Sequence, residues 1–222
     1  MNLPAQMFPP ELLWLSNFIF AILLGRAIWF APWRSLENST ARSNAVAALI
    51  VGAFLFWQLS PGVRPGLHHH LLGATLFVLM FGWHIAFCAL SLVLLASMLY
   101  ANADLLALGI NGLVLIAVPV FFSELLLRVS QRRLPKHFII YVLGNGFFCA
   151  ILAMVLVVLT TALLLAIFSS YSWPLMFGEY LAFAPVISFA EGFTTGMLIT
   201  AFVLFSPEAV ATFRDEDYLK GK

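Results

Sequence analysis

The chain has 222 residues, 63% of them hydrophobic and only 9% charged, with a formal net charge of +1 and a mean hydropathy of +1.01. Soluble domains carry roughly a quarter charged residues because their surface has to be solvated. A water-soluble globular protein is therefore excluded, and so is a basic surface for nucleic acid. The composition predicts an all-α integral membrane protein made almost entirely of spans, with residues 1–222 as a single transmembrane helical domain in contact with membrane lipid.

The start, Met1-Asn2-Leu3-Pro4, has no basic stretch ahead of an apolar one, so a cleaved signal peptide is not expected. Spans need about 20 apolar residues. The first is predicted from about Leu12 to Ala31 and the second from about Asn44 to Leu59, where Ser60-Pro61-Gly62 stops it. Next comes Gly66-Leu67-His68-His69-His70-Leu71-Leu72-Gly73, which holds three of the five histidines. From His70 to Tyr100 the chain is apolar, as one long helix or as two short ones broken at Gly82-Trp83. If a helix begins near His69, His70 points into the bundle and His68 folds over from the loop. Further spans are predicted over about Leu105 to Leu127, Phe138 to Phe168 and Leu181 to Phe205, with Ser169 to Tyr180 as a connecting segment.

Basic residues cluster at Arg34 and Arg42, between Arg128 and Lys136, and at Arg214, Lys220 and Lys222. Cytoplasmic loops carry an excess of Lys and Arg. Six spans would split these clusters between two faces, whereas a break at Gly82-Trp83 gives about seven and puts all of them on one. The expectation is therefore N-terminus outside and C-terminus cytoplasmic, residues 214–222 forming a short cytoplasmic tail, in the cell inner membrane. The N-terminus and His68–His70 then share the external face and can meet.

Imidazole is a common ligand for Zn, Cu, Ni and Co, which makes His68, His69 and His70 candidate ligands. Glu191, inside the last span beside Gly192, Thr194 and Thr195, is a candidate because a carboxyl group is costly in a membrane; its rival reading is a helix-packing role. Asn111 is read as a tie between helices. Glu124 and Arg128, at i,i+4, predict an ion pair, His84 falls at a cytoplasmic turn, and Ala48-xxx-Gly52 has the small-residue spacing that lets helices of a bundle pack closely. Cys88 and Cys149 lie in apolar runs and are expected to be unpaired. Since no nucleotide-binding motif is present, no ATPase is expected within the chain.

Several of these segments, in order, resemble the CbiM/NikM family, the metal-binding membrane subunits of energy-coupling-factor (ECF) transporters for cobalt and nickel. His70-Leu71-Leu72-Gly73 is similar to the family's Gly-His-Leu-Leu-Gly-Gly, and Ala107-Leu108-Gly109-Ile110-Asn111 to its Ala-Leu-Gly-Ala-Asn. Ala190-Glu191-Gly192 and Pro207-Glu208 match its closing motifs, and Met1-Asn2-Leu3-Pro4 matches Met-His-Ile-Pro in part. The resemblance implies a site made of the N-terminal amine, the second residue and the motif histidine, here Met1, Asn2 and His70. Asn2 stands where the family has histidine, and Ala5-Gln6 where it has Asp-Gly. His68 and His69, absent from the family pattern, are the expected substitutes for that imidazole, with altered geometry and with zinc or copper as alternatives to nickel or cobalt.

Three functional readings follow. The first is a permease subunit that binds a divalent transition metal ion for uptake, working with a separate ATPase and a coupling membrane subunit. The alternative is a non-transporting metal-sensing or assembly subunit of a larger membrane complex. A third, a metal-dependent membrane enzyme using Glu191 as acid/base, requires Glu191 to lie near the histidines.

Overall fold

The computed structural model describes residues 3–59, 66–169, 171–214 and 218. Helix α1 (Pro10–Phe30) starts on a proline, which fits the first turn because that N–H has no helical partner. A short α2 (Arg34–Glu37) leads to α3 (Thr40–Gln58), whose start is capped by the Ser39 side chain accepting from Arg42 N at 3.3 Å. Helices α4 (Ala74–Phe81) and α5 (Trp83–Tyr100) follow, then α6 (Leu108–Gly112), which passes through a π-helical turn (Leu113–Ala117) into α7 (Val118–Arg133). Pro119, near the start of α7, has no N–H and would crowd the carbonyl four residues back; the wider turn ahead of it relieves that conflict. A second π-helical stretch (Ile140–Phe148) continues into α8 (Cys149–Phe168), and α9 (Trp173–Glu179) and α10 (Ala184–Phe205) complete the bundle.

Six helical stretches among the described residues are long and apolar enough to cross a membrane: Pro10–Phe30, Thr40–Gln58, Trp83–Tyr100, Leu105–Arg133, Ile140–Phe168 and Trp173–Phe205. Large apolar side chains such as Trp14, Phe18, Leu55, Leu159 and Phe193 point outward, as a lipid-facing surface requires. The protein is thus an all-helical, multi-pass membrane protein.

The chain breaks at Gly82, whose φ of 78° is a conformation that favours glycine. The segment from Gly66 to Gly82 nonetheless runs the length of the bundle. At one end Gly66 lies against Pro4 and Leu165. At the other, the Leu79 and Met80 carbonyls accept from Thr212 Oγ1 (2.7 Å) and Ala211 N (2.8 Å), and Gly82 shares a cavity with Pro32, Arg128, Lys136 and Arg214. Only α4, eight residues and about 12 Å long, is helical in this stretch. All eight of its side chains are buried, packed among α5, α7, α8 and α10. Non-helical backbone at membrane depth is tolerated when protein surrounds it.

Three local expectations are corrected. The helix after the histidines begins at Ala74, not near His69, because Gly73 adopts φ 70° and interrupts helical geometry. Within the segment expected to be a connection, Trp173–Glu179 is helical, with Pro174 in the first turn where it is compatible with a helix. Ala48 is exposed and a Cβ on Gly52 would meet nothing within 4 Å, so among the described residues this pair seats no other helix.

Candidate metal centre

Residues 66–73 form an extended loop whose two central imidazoles are withdrawn from solvent: His69 is 7% exposed and His70 3%. Three helical segments hold this loop. The Trp57 indole N–H, at the end of α3, donates to the Leu72 carbonyl at 3.4 Å, and the Trp57 ring lies 4.7 Å from the His70 ring at 37°. Tyr180, just after α9, stacks on His69 with ring centres 4.4 Å apart and 10° between planes, while its carbonyl lies 3.2 Å from His69 Nε2. Glu191, in α10, accepts the N–H of Leu72 through Oε2 at 2.8 Å and that of Gly73 through Oε1 at 2.7 Å.

The Glu191 contacts explain its place in the membrane. Leu72 and Gly73 come just ahead of Ala74, the first residue of α4, so their N–H groups have no partner within the helix, and water is not there to supply one. A carboxylate satisfies two donors at once and sits at the positive end of the α4 dipole. Glu191 therefore lies beside the histidine loop, the proximity that an acid/base role needs, but both its oxygens already accept backbone N–H groups. A small apolar cavity of about 80 Å³ adjoins it, lined in part by Leu49, Gly52, Leu72 and Thr195.

His70 Nδ1 lies 3.3 Å from the Leu71 carbonyl. A carbonyl only accepts, so this contact assigns the hydrogen to Nδ1 and leaves the lone pair on Nε2. His68 is half-buried.

The N-terminal stretch is fastened to the same end of the bundle. Asn111 grips the backbone of Leu3 from both sides: its Oδ1 accepts Leu3 N–H at 2.7 Å and its Nδ2 donates to Leu3 O at 3.0 Å. Nδ2 also donates to the Ala107 carbonyl at 2.9 Å. Asn111 thus ties the N-terminal stretch, rather than a second helix, to α6. Asn17 repeats the pattern between α1 and α6, accepting Gly109 N–H at 2.9 Å and donating to Leu106 O at 2.7 Å. The two chains approach closely here because position 109 is glycine; a Cβ would overlap the backbone of Ser16 and Asn17. Met1 and Asn2 lie outside the described residues.

Among the described residues no three His, Cys, Asp or Glu side chains converge as a cation-binding group. His84 sits at the far end of the bundle, stacked on Trp83 with ring centres 3.7 Å apart. It lines a cavity of about 600 Å³ with Glu124 and Arg128, which form the anticipated ion pair at 2.7 Å. Both cysteines are free thiols. Trp57, Tyr180 and Asn17 were not recognisable in the sequence as parts of the site. Their one signal is a polar group on an apolar segment that has to find a partner.

The family model described as "Cobalt uptake substrate-specific transmembrane region" matches residues 2–209. The chain belongs to this family. A member of a cobalt-uptake transmembrane family is a component of a metal transport system, in keeping with the multi-pass helical architecture. Two solved structures share the fold. A "Truncated Transition metal Transporter" matches with a TM-score of 0.74 at 20% identity, covering 92% of this chain and 98% of its own. A "transition metal transporter" matches with a TM-score of 0.73 at 20% identity, covering 91% and 92%. A search of curated proteins by sequence returns no match.

Proposed function

We propose that the chain is the substrate-binding permease subunit of a divalent transition-metal uptake system and that the cation is received on loop 66–73. The observation that carries this reading is the meeting of the N-terminal stretch with the histidine loop: Gly66 packs on Pro4, and Asn111 fixes Leu3 next door. His70 is the principal ligand through Nε2. Met1 and Asn2 supply further nitrogen donors, as the family resemblance implies, and His68 or His69 supplements them. Mixed amine, amide and imidazole nitrogen suits nickel or cobalt, with copper or zinc as competitors.

The interrupted crossing at Gly66–Gly82 supports the topology proposed with this function. Counting it with the six long helices gives seven crossings. The ends bearing Pro32, Arg128, Lys136 and Arg214 gather around one cavity, and Arg42 Nη2 reaches the Glu208 carbonyl at 3.1 Å. By the excess of basic residues, that face is cytoplasmic; the N-terminus is outside and 214–222 is a short cytoplasmic tail of a single transmembrane domain. The chain resides in the inner membrane, and a separate ATPase pair and a coupling membrane protein supply the energy.

The test is nickel and cobalt titration of the purified full chain, with elemental analysis, for the unsubstituted protein and His70→Ala. Loss of a direct ligand is expected to weaken binding by more than the roughly 10–100-fold typical of an outer-shell change. Undiminished affinity in His70→Ala overturns the reading. Purification from its source with an ATPase supports transport, and purification with a metalloenzyme instead favours an assembly subunit.

A further inference from the structure

The His69 ring is held on one face by Tyr180 and at one nitrogen by the backbone. Its Nε2 contacts the Tyr180 carbonyl at 3.2 Å, and since a carbonyl has no hydrogen to give, Nε2 carries it. The lone pair of the neutral ring is therefore on Nδ1. That atom is buried and has no hydrogen-bond partner among the described residues, in a residue only 7% exposed. Buried polar atoms in folded proteins nearly always have a partner, and the stacked Tyr180 ring, at 4.4 Å and 10°, prevents the imidazole from turning to find one. A ring whose outer nitrogen donates to a backbone carbonyl while its other nitrogen waits unpaired is the arrangement that orients metal-ligating histidines.

We infer that His69 is a second imidazole ligand of the cation, bound through Nδ1, with the Tyr180 carbonyl as the group that positions it. The inference deepens the proposed metal-binding function of loop 66–73 and rests on it. His70, one residue along, holds the opposite tautomer, with Nδ1 toward Leu71 O, which leaves the lone pair on Nε2. This assignment gives the site one Nδ1 and one Nε2 imidazole donor. It also answers the sequence at position 2, where Asn2 brings no imidazole: the second ring comes from the loop. Two imidazoles beside amine or amide nitrogens favour the tetragonal sites of Ni(II) and Cu(II).

The test replaces His69 in the full chain by its two methylated isomers and titrates Ni(II) by calorimetry. Nδ1-methylhistidine keeps the Nε2–H bond to Tyr180 and blocks the lone pair. Nε2-methylhistidine loses that bond and keeps the donor atom. Binding is expected to fall about 100-fold or more with the first and by about tenfold with the second, which perturbs only the outer shell. Equal losses from the two isomers, or no loss from the first, overturn the inference. If His70→Ala weakens binding while Nδ1-methylation of His69 does not, the inference fails and the proposed function stands; if neither weakens it, the proposed function fails as well. Pulsed EPR of the Cu(II)-loaded unsubstituted protein and of His69→Ala counts the imidazoles. Two inequivalent imidazoles that become one in His69→Ala support the inference; a single one in the unsubstituted protein, or two retained in His69→Ala, overturns it.

Discussion

Glu191 accepts the backbone N–H of Gly73 at 2.7 Å, so a carboxylate near the middle of the last helix closes the N-terminal end of α4. Together with the second bond, from Leu72 N at 2.8 Å, it makes a non-helical stretch inside the bundle chemically acceptable. The loop that carries the histidines exists in this form because α10 satisfies its backbone.

Glu191→Ala leaves two buried N–H groups without a partner, a cost of roughly 1–3 kcal/mol for each. Glu191→Gln keeps one carbonyl oxygen as acceptor and should lose less. Thermal unfolding of the purified protein in detergent checks the order: unsubstituted, then Gln, then Ala in falling Tm. An alanine variant as stable as the unsubstituted chain removes the capping role.

Asn111 makes three hydrogen bonds, two of them to Leu3. Asn111→Leu preserves bulk while releasing the N-terminal stretch. Nickel affinity is expected to fall by about tenfold or more, the scale of losing a group that holds a ligand in place. Calorimetric titration reads this directly, and unchanged affinity would separate the N-terminus from the cation site.

An N-terminal extension of two residues converts the terminal amine into an amide and moves it. If the terminus donates to the metal, metal content by elemental analysis drops although every side chain is retained. An extended protein that retains full metal content rules the terminal amine out as a ligand.

Gly109→Ala and Gly25→Ala make a matched pair. A Cβ at 109 would overlap the backbone of Ser16 and Asn17, whereas one at 25 meets nothing within 4 Å. Overpacking costs typically about 1–3 kcal/mol, while alanine on an exposed helical face is expected to be neutral or favourable by up to about 1 kcal/mol. Comparing the two unfolding midpoints tests the close approach of α1 and α6.

Much of the architecture was legible in residue types, because a membrane asks simple questions of a sequence. Apolar runs of about 20 residues and the Pro and Gly that end them located the long helices to within a few residues, apart from Leu105–Leu127, whose helix continues to Arg133. Gly82 was readable as a break. The basic clusters predicted that Arg34 and Arg42, Arg128 to Lys136 and Arg214 belong to one end; Arg128, Lys136 and Arg214 line one cavity there, and Arg42 reaches the Glu208 carbonyl. The Glu124–Arg128 pair followed from its spacing alone. Local rules suffice where the partner is lipid or lies one helical turn away.

The site was legible in part. His70 and Asn111 were marked by their motifs, and Glu191 by the cost of a carboxyl group in an apolar span, yet what Glu191 touches was not. Its partners lie 119 and 118 residues away, and they are backbone amides, which every residue carries and no pattern distinguishes. Tyr180 and Trp57 went unrecognised for the same reason: each acts through a carbonyl or a ring face on a segment distant in sequence. Residue types alone establish a helical membrane protein with a histidine cluster at a break between helices. Packing set the rest: it put the histidines on an extended loop rather than a helix. It also decided which nitrogen of His69 and of His70 keeps its lone pair, because tautomer and backbone geometry depend on hydrogen-bond partners that only packing brings within reach.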